Sequence, residues 1–510
     1  MISPFLLPKL TMRCFPARPL WAIPFLLLAG ALSVAGFAPL GQFWLLPLSL
    51  VAWLLGIQHA GSTRQALVYG LSWGLGYFLA NASWVYISLH THGGMPVWMA
   101  ALCTFGFALF LALFPMLAAG LAWRWPAGKA LKLALIAPTL FVLSEWIRGW
   151  IFTGFPWASL GGSQLATLGG FYPLIGSYGV GWLLAIASGL VLAELRLGAS
   201  LVFALLSTSA LLQQIQWTQP TGAPLRVSLL QGNIPQSMKW SQAAYLDSLN
   251  IYRDLTQQSQ GQLIVFPETA IPAFFGAIPD WYLDDLRALA HQRQASIIFG
   301  TATSSADGQQ HFNAAVDLAQ PTRTPYAKYH LVPFGEYIPA RELFGVFYRY
   351  LNMPLVGLSP GAPVQPPFAL QGGQIAANIC YEDAFGNEIR RNAINATLLV
   401  NLTNMAWFDG SWAAEQHAEM ARARALENGR YLIRATNTGK TAIINPRGEL
   451  VSSLPAQTRG VLNGTVRHQI GTTPYQRWGD TPVIVGWALA LLALALYTYR
   501  QRYQPRKQTI

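Results

Sequence analysis

The chain has 510 residues, of which 53% are hydrophobic and 11% charged, and its mean hydropathy is +0.33. These values exclude an ordinary water-soluble enzyme. The formal charge of +12 does not indicate nucleic acid, because residues 217–478 hold 20 Lys/Arg against 18 Asp/Glu. Most of the surplus lies beside apolar runs, where it favours anionic lipid headgroups.

Apolar runs occur at 20–37, 43–57, 66–89, 96–122, 131–147, 172–193, 198–215 and 482–498. A spanning helix needs about 20 apolar residues, so the pattern predicts a multi-pass α-helical membrane domain of about eight spans. The second, seventh and last runs are short. Lys9, Arg13 and Arg18 precede the first run, and Arg64, then Arg124, Lys129 and Lys132, then Arg196 lie in alternate connections. Arg500, Arg502, Arg506 and Lys507 follow the last run, and the opposite short loops carry Arg148. The positive-inside rule then places both termini in the cytoplasm and the polar region outside. Three parts follow: membrane helices over 1–216, a polar domain over 217–478, and a final helix with a basic tail over 479–510. Glu145 and Arg148 fall on one helical face as an expected ion pair, and Asn81 and Ser83 are expected to bond between helices.

The polar domain alternates strand-like and helix-like stretches. Strands are predicted at 225–231, 263–266, 296–303, 312–319, 374–379, 396–402, 431–435 and 441–444. Helices are predicted from a Ser241 cap to about 258, at 279–293 and at 412–427. This alternation predicts a layered α-β-β-α domain with its own core.

Within that domain Cys380 is the one thiol, Cys14 and Cys103 lying outside it. It therefore lacks a disulfide partner there and is either an inert core residue or a reactive group. It stands where an apolar run meets the acidic pair Glu382 and Asp383. Glu268, in Phe-Pro-Glu, can take a thiol proton, and Lys328 can stabilise a thiolate or an oxyanion. Taken singly, these three also suit a core thiol, a loop carboxylate and a surface ammonium. His330 and His417 are alternative partners in a protease-like dyad. Neither HExxH nor CxxC is present, and no metal or other cofactor is expected.

Four blocks in order carry a resemblance to a known family. They are Gln231-Gly-Asn-Ile-Pro-Gln-Ser-Met-Lys-Trp240, Phe266-Pro-Glu-Thr-Ala-Ile-Pro272, Lys328-Tyr-His-Leu-Val-Pro-Phe-Gly-Glu-Tyr-Ile-Pro339 and Ile379-Cys-Tyr-Glu382. Asn401-Leu-Thr-Asn-Met-Ala-Trp-Phe408, Gln416-His417, Arg434 and Asn437-Thr-Gly439 add to them. The pattern resembles the carbon–nitrogen hydrolase (nitrilase) superfamily, and the membrane segments narrow the match to the apolipoprotein N-acyltransferase family. The resemblance implies an αββα sandwich with Cys380 as nucleophile, Glu268 as general base and Lys328 as electrostatic stabiliser. It also implies supporting roles for Glu336, Glu382, Trp240 and Tyr381. Met405 stands where the family usually has Asp.

The implied reaction passes an acyl chain from a phospholipid, as a Cys380 thioester, to the α-amine of an S-diacylglyceryl cysteine at an apolipoprotein N-terminus. The implied donor is phosphatidylethanolamine, and the implied setting is the bacterial inner membrane with the polar domain in the periplasm and the protein a monomer. Phe344, Phe347 and Tyr348, in an apolar aromatic stretch between loops, are expected to form a lid that contacts lipid. Two alternatives use other endpoints: a membrane-tethered amidase or hydrolase with water as acceptor, and a transporter with an inactive outer domain.

Overall fold

The computed structural model describes residues 15–503 apart from 17, 237–241, 320–323, 341 and 343–356. Each of the eight apolar runs contains a helix. Five are long and apolar enough to cross a membrane: Val97–Arg124, Lys129–Arg148, Leu165–Ala193, Leu195–Leu212 and Thr481–Arg500. Leu20–Gly36 and Leu45–His59 are shorter apolar helices, and Thr63–Asn81 packs between the first helix and Val97–Arg124. Asn81 Nδ2 donates to Ser33 Oγ at 3.1 Å, an interhelical bond as expected. Ser83 instead donates to Ala80 of its own segment.

Glu145 and Arg148 do pair, at 3.8 Å, and both are buried. Their remaining bonding capacity folds the next loop back over the helix ends. Arg148 Nη1 donates to the carbonyls of Phe155 and Trp157. Glu145 Oε1 accepts from the Leu160 N–H at 3.0 Å, and the Tyr77 hydroxyl donates to Ala158 O. Two charges pinned by backbone partners thus fix where Trp157 points, and it points at the polar domain.

The polar domain is a two-sheet sandwich. Its strands are β1 (Thr218–Gln231), β2 (Leu263–Val265), β3 (Ser296–Ser304), β4 (His311–Asp317), β5 (Tyr326–Ala327), β6 (Phe368–Leu370), β7 (Gly373–Ile379), β8 (Leu398–Thr403), β9 (Leu432–Thr436), β10 (Ala442–Ile444), β11 (Leu450–Ser453) and β12 (Gly460–Gly471). The sheets run β12-β1-β2-β3-β4-β5 and β11-β10-β9-β8-β7-β6. In each, three strands (β1–β3 and β7–β9) are parallel and the outer ones antiparallel. Parallel strands buried on both faces read as apolar runs. Within them the period of two decides the destination of each side chain. Leu398, Val400 and Leu402 of β8 enter the core between the sheets, while Leu399 faces the helices Gly386–Ala393 and Ala413–Asn428. Gln242–Gln258 and Asp280–Gln292 cover the other sheet, completing the α-β-β-α layers. β5, β6, β11, β12 and the helix Gly386–Ala393 are additions to the sequence-based elements.

Candidate active site

Three chain segments converge at the ends of strands. Glu268 follows β2, Lys328 follows β5 and Cys380 follows β7. Gly300 of β3 makes the first placement possible, since a Cβ there would lie 2.2 Å from Pro267 O and 3.0 Å from Glu268 Cα. Cys380 opens a tight 3-10 turn and has φ +53°. Holding a non-glycine residue in this left-handed region costs about 1–3 kcal/mol and needs support from its surroundings.

The support comes from two sides. Glu382 Oε2 accepts from the Ile379 N–H at 2.6 Å and the Tyr326 hydroxyl at 2.9 Å. Its Oε1 accepts from the N–H groups of Tyr329 at 2.8 Å and His330 at 3.2 Å. One carboxyl therefore staples the cysteine turn to the lysine segment. Burial pushes it up to about 7, against the pull of these backbone donors and Lys328. On the other side His417 Nε2 lies 3.0 Å from Cys380 O. Arg434 Nη2 donates to His417 Nδ1 at 2.9 Å, so the imidazole proton sits on Nε2 and is given to the Cys380 carbonyl. Burial, and then Arg434, hold the His417 pKa well below the usual imidazole value. A neutral ring donating to a carbonyl is a backbone support rather than the base of a cysteine–histidine dyad. His330 is not that base either: its Nδ1 faces Glu388 at 3.1 Å and its ring stacks on Phe385.

The three candidate groups are buried together. Lys328 Nζ lies 2.9 Å from Glu336 Oε2, 3.0 Å from Glu336 Oε1 and 3.5 Å from Glu268 Oε1. Asn313 Nδ2 donates to both carboxylates, at 2.7 Å to Glu268 and 2.9 Å to Glu336. Glu268 Oε2 accepts from the Asn404 N–H at 2.8 Å, and Glu336 Oε2 from the Val332 N–H at 2.7 Å. Burial alone would lower the ammonium, but Glu336, Glu268 and Cys380 reverse this and hold its pKa well above the ordinary lysine value. Burial pushes the Cys380 thiol up, the adjacent Glu268 carboxylate adds to the push through charge and a hydrogen bond, and Lys328 opposes it. The resting pair is therefore a neutral thiol hydrogen-bonded to a carboxylate. That carboxylate can take the proton as sulfur attacks, while the ammonium faces the negative charge that forms.

Among the expected supporting residues, Glu336 contacts the lysine and Glu382 braces the turn from behind. Tyr381 points to the membrane helices, its hydroxyl donating to Gly154 O at 3.2 Å. Trp240, Phe344, Phe347 and Tyr348 lie outside the described residues. Met405 is buried with its sulfur 3.3 Å from His417 Nδ1. Asn313 is added by the structure, while Asn404, His417 and Arg434, which lie in the matching blocks, gain their contacts here. The network runs on from Arg434 to Asp383 at 2.8 Å and Asn401 at 3.0 Å. It also reaches the membrane helices, because Trp157 packs on the His417 ring and donates to Gln416 at 2.7 Å. Replacing His417 by Leu leaves the Cys380 carbonyl and an Arg434 N–H without their partner, at about 1–3 kcal/mol for each group. Chemical unfolding should show this loss, with part regained in His417→Gln; a parent-like midpoint for the Leu variant would refute the support.

Residues 226–475 match the family model described as carbon-nitrogen hydrolase, and residues 29–190 match the apolipoprotein N-acyltransferase N-terminal domain. Over 486 residues the chain is 40% identical to the apolipoprotein N-acyltransferase of Chromobacterium violaceum, spanning 94% of each protein. It is 42% identical over 469 residues to that of Methylococcus capsulatus, spanning 90% of this chain and 92% of the relative. Among solved structures, an amidase from Nesterenkonia sp. is 19% identical, with 52% of this chain and 97% of the amidase aligned at a TM-score of 0.37.

Proposed function

Because this chain belongs to the apolipoprotein N-acyltransferase family, acyltransferases within the carbon–nitrogen hydrolase superfamily, we propose that Cys380 is its acyl carrier, with Glu268 as base and Lys328 as oxyanion and thiolate stabiliser. In the first half, Glu268 takes the thiol proton while sulfur attacks the ester carbonyl of a phospholipid. The carbon–oxygen bond breaks, and the lysophospholipid alkoxide receives the proton from Glu268. In the second half, the α-amine of an S-diacylglyceryl cysteine attacks the thioester and Glu268 takes its proton. The carbon–sulfur bond breaks, and the thiolate is reprotonated.

The observation that carries this reading is the buried meeting of thiol, carboxylate and ammonium in a chain with several membrane-length apolar helices. A thioester suits the exchange because it is an activated donor towards an amine, and burial protects it from water. Phosphatidylethanolamine as donor, a monomeric protein, and an inner-membrane setting with the sandwich in the periplasm and both termini in the cytoplasm complete the proposal. Incubation with phospholipid alone should leave one acyl adduct, on Cys380, visible by mass spectrometry. It should vanish when a diacylglyceryl peptide with a free amine is added, with the acyl group appearing on that amine. No adduct, or its loss to water at the same rate without peptide, would overturn the proposal, the second outcome pointing to a hydrolase.

A further inference from the structure

The helix Val97–Arg124 has 28 residues. Such a helix is about 42 Å long, whereas the hydrocarbon layer of a bilayer is about 30 Å thick. Phe110 lies near the middle of the helix, so it falls inside that layer wherever the layer is set along the axis. The ring of Phe152, which follows the helix Lys129–Arg148, packs on Phe110 with centroids 6.1 Å apart. Phe155 packs on Phe107 of the same helix at 5.0 Å. The chain after Arg148 therefore comes back against the side of a membrane helix. Its tip is apolar and uncovered: Phe152 is 78% exposed and Trp150 54%.

An irregular backbone at this depth needs its polar groups answered within the protein. Arg148 Nη1 answers the carbonyls of Phe155 and Trp157. The Gly154 N–H donates to Ile151 O at 2.9 Å and the Phe155 N–H to Arg148 O at 2.8 Å. Charges at membrane depth call for a function, and the buried Glu145–Arg148 pair has one in holding this segment. Three successive left-handed residues reverse the chain, Phe152 at φ +51°, Thr153 at +76° and Gly154 at +86°. Two of them are not glycine, a conformation that persists only where the surroundings enforce it. The third has to be, since a Cβ on Gly154 would lie 2.2 Å from Gly149 O. Gly154 O then accepts the Tyr381 hydroxyl at 3.2 Å, and Tyr381 follows Cys380 in the 3-10 turn. One hydrogen bond thus joins the cysteine turn to a segment whose tip, two residues away, faces lipid.

We infer that residues 149–155 form a loop that dips among the acyl chains of the leaflet nearest the polar domain. It seats a lipid chain against Phe110 and Phe152, and through Gly154 and Tyr381 it holds the cysteine turn beside that chain. The depth of the loop requires membrane embedding alone, while its effect on acyl transfer rests on Cys380 being the acyl carrier.

Two measurements on the full chain in phosphatidylethanolamine–phosphatidylglycerol vesicles test this. In protein with Cys14, Cys103 and Cys380 all replaced by Ser, a nitroxide is attached at Phe152→Cys or, for comparison, at Asp307→Cys in an exposed turn of the polar domain. The label at 152 should be relaxed more strongly by oxygen than by a water-soluble nickel chelate, and the label at 307 the reverse. A label at 152 that responds more to the chelate would overturn the proposal. In protein that keeps Cys380, Phe152→Glu is compared with Phe152→Gln for the rate of adduct formation from vesicle phospholipid. The two should match at low pH, where the carboxyl is protonated, and the Glu variant should fall about tenfold behind at high pH, where a charge would have to enter the hydrocarbon. A loop that only contributes to folding at a wet surface gives a ratio without this pH dependence, and that result would overturn the tie to the cysteine turn. Absence of any adduct in the parent would instead count against Cys380 as acyl carrier and leave the spin-label result standing.

Discussion

Lys328→Met should lower turnover by at least 10²–10³-fold, the cost of removing one charge-stabilising donor, and destabilise the protein by about 3–5 kcal/mol. Both effects come from the same two distances, 2.9 Å to Glu336 and 3.5 Å to Glu268. Without the ammonium, two buried carboxylates share Asn313 Nδ2 and have lost the cation that lies between them. One of them then takes up a proton at neutral pH, and if it is Glu268 the base is lost as well. Arginine is no substitute, because a planar fork does not fit a space shaped around one ammonium. Adding Glu336→Gln to Lys328→Met separates the two losses. The double variant should regain much of the stability, as one unpaired anion is gone, but none of the acyl transfer. Unfolding midpoints together with single-turnover adduct formation on Cys380 check this. Recovery of activity in the double variant would show that Lys328 serves only to balance Glu336.

The sequence made the sandwich legible wherever strands were buried on both faces. The run at 263–266 is apolar throughout and that at 396–402 is interrupted only by Thr397 and Asn401, and they became β2 and β8 within a residue or two. β12 escaped because Gly460, Asn463, Gly464, Arg467 and His468 break the alternation that marks a strand; its pairing with β1 supplies the order its composition does not. The helix Gly386–Ala393 is polar along most of its length, and only Ile389, Asn392 and Ala393 are buried. The grouping of Glu268, Lys328 and Cys380 was legible because each sits in its own motif. Its supports were not. Asn313 looked like any polar residue in a strand, since the carboxylates it bridges lie 45 and 23 positions away in the chain. The sequence offers His417 as an alternative base, and only the geometry around Arg434 turns it into a donor to the Cys380 carbonyl.

Glu268→Gln should separate acidity from catalysis at Cys380, and the two readouts should move in opposite directions. Glu268 raises the thiol pKa by its charge and by accepting its hydrogen bond, and Lys328 lowers it. Removing the anion leaves burial in place but tips the local field towards the cation, so the thiol of the variant should titrate at lower pH than the parent thiol. Alkylation by a small uncharged reagent such as iodoacetamide, followed at Cys380 across pH, should therefore begin its rise earlier in the variant. Acyl transfer should nevertheless fall by about 10²–10⁴-fold, the range for a lost general base, because the amide cannot take the proton from the thiol or the incoming amine. The amide can still accept from Asn313 or from the Asn404 N–H but not from both, so a modest stability loss of about 1–3 kcal/mol is expected as well. A melting curve at each pH separates that loss from the chemistry. If the thiol titrates higher in the variant, or transfer survives with an unchanged pH profile, then Glu268 orders the site without handling the proton, and the base must be sought elsewhere.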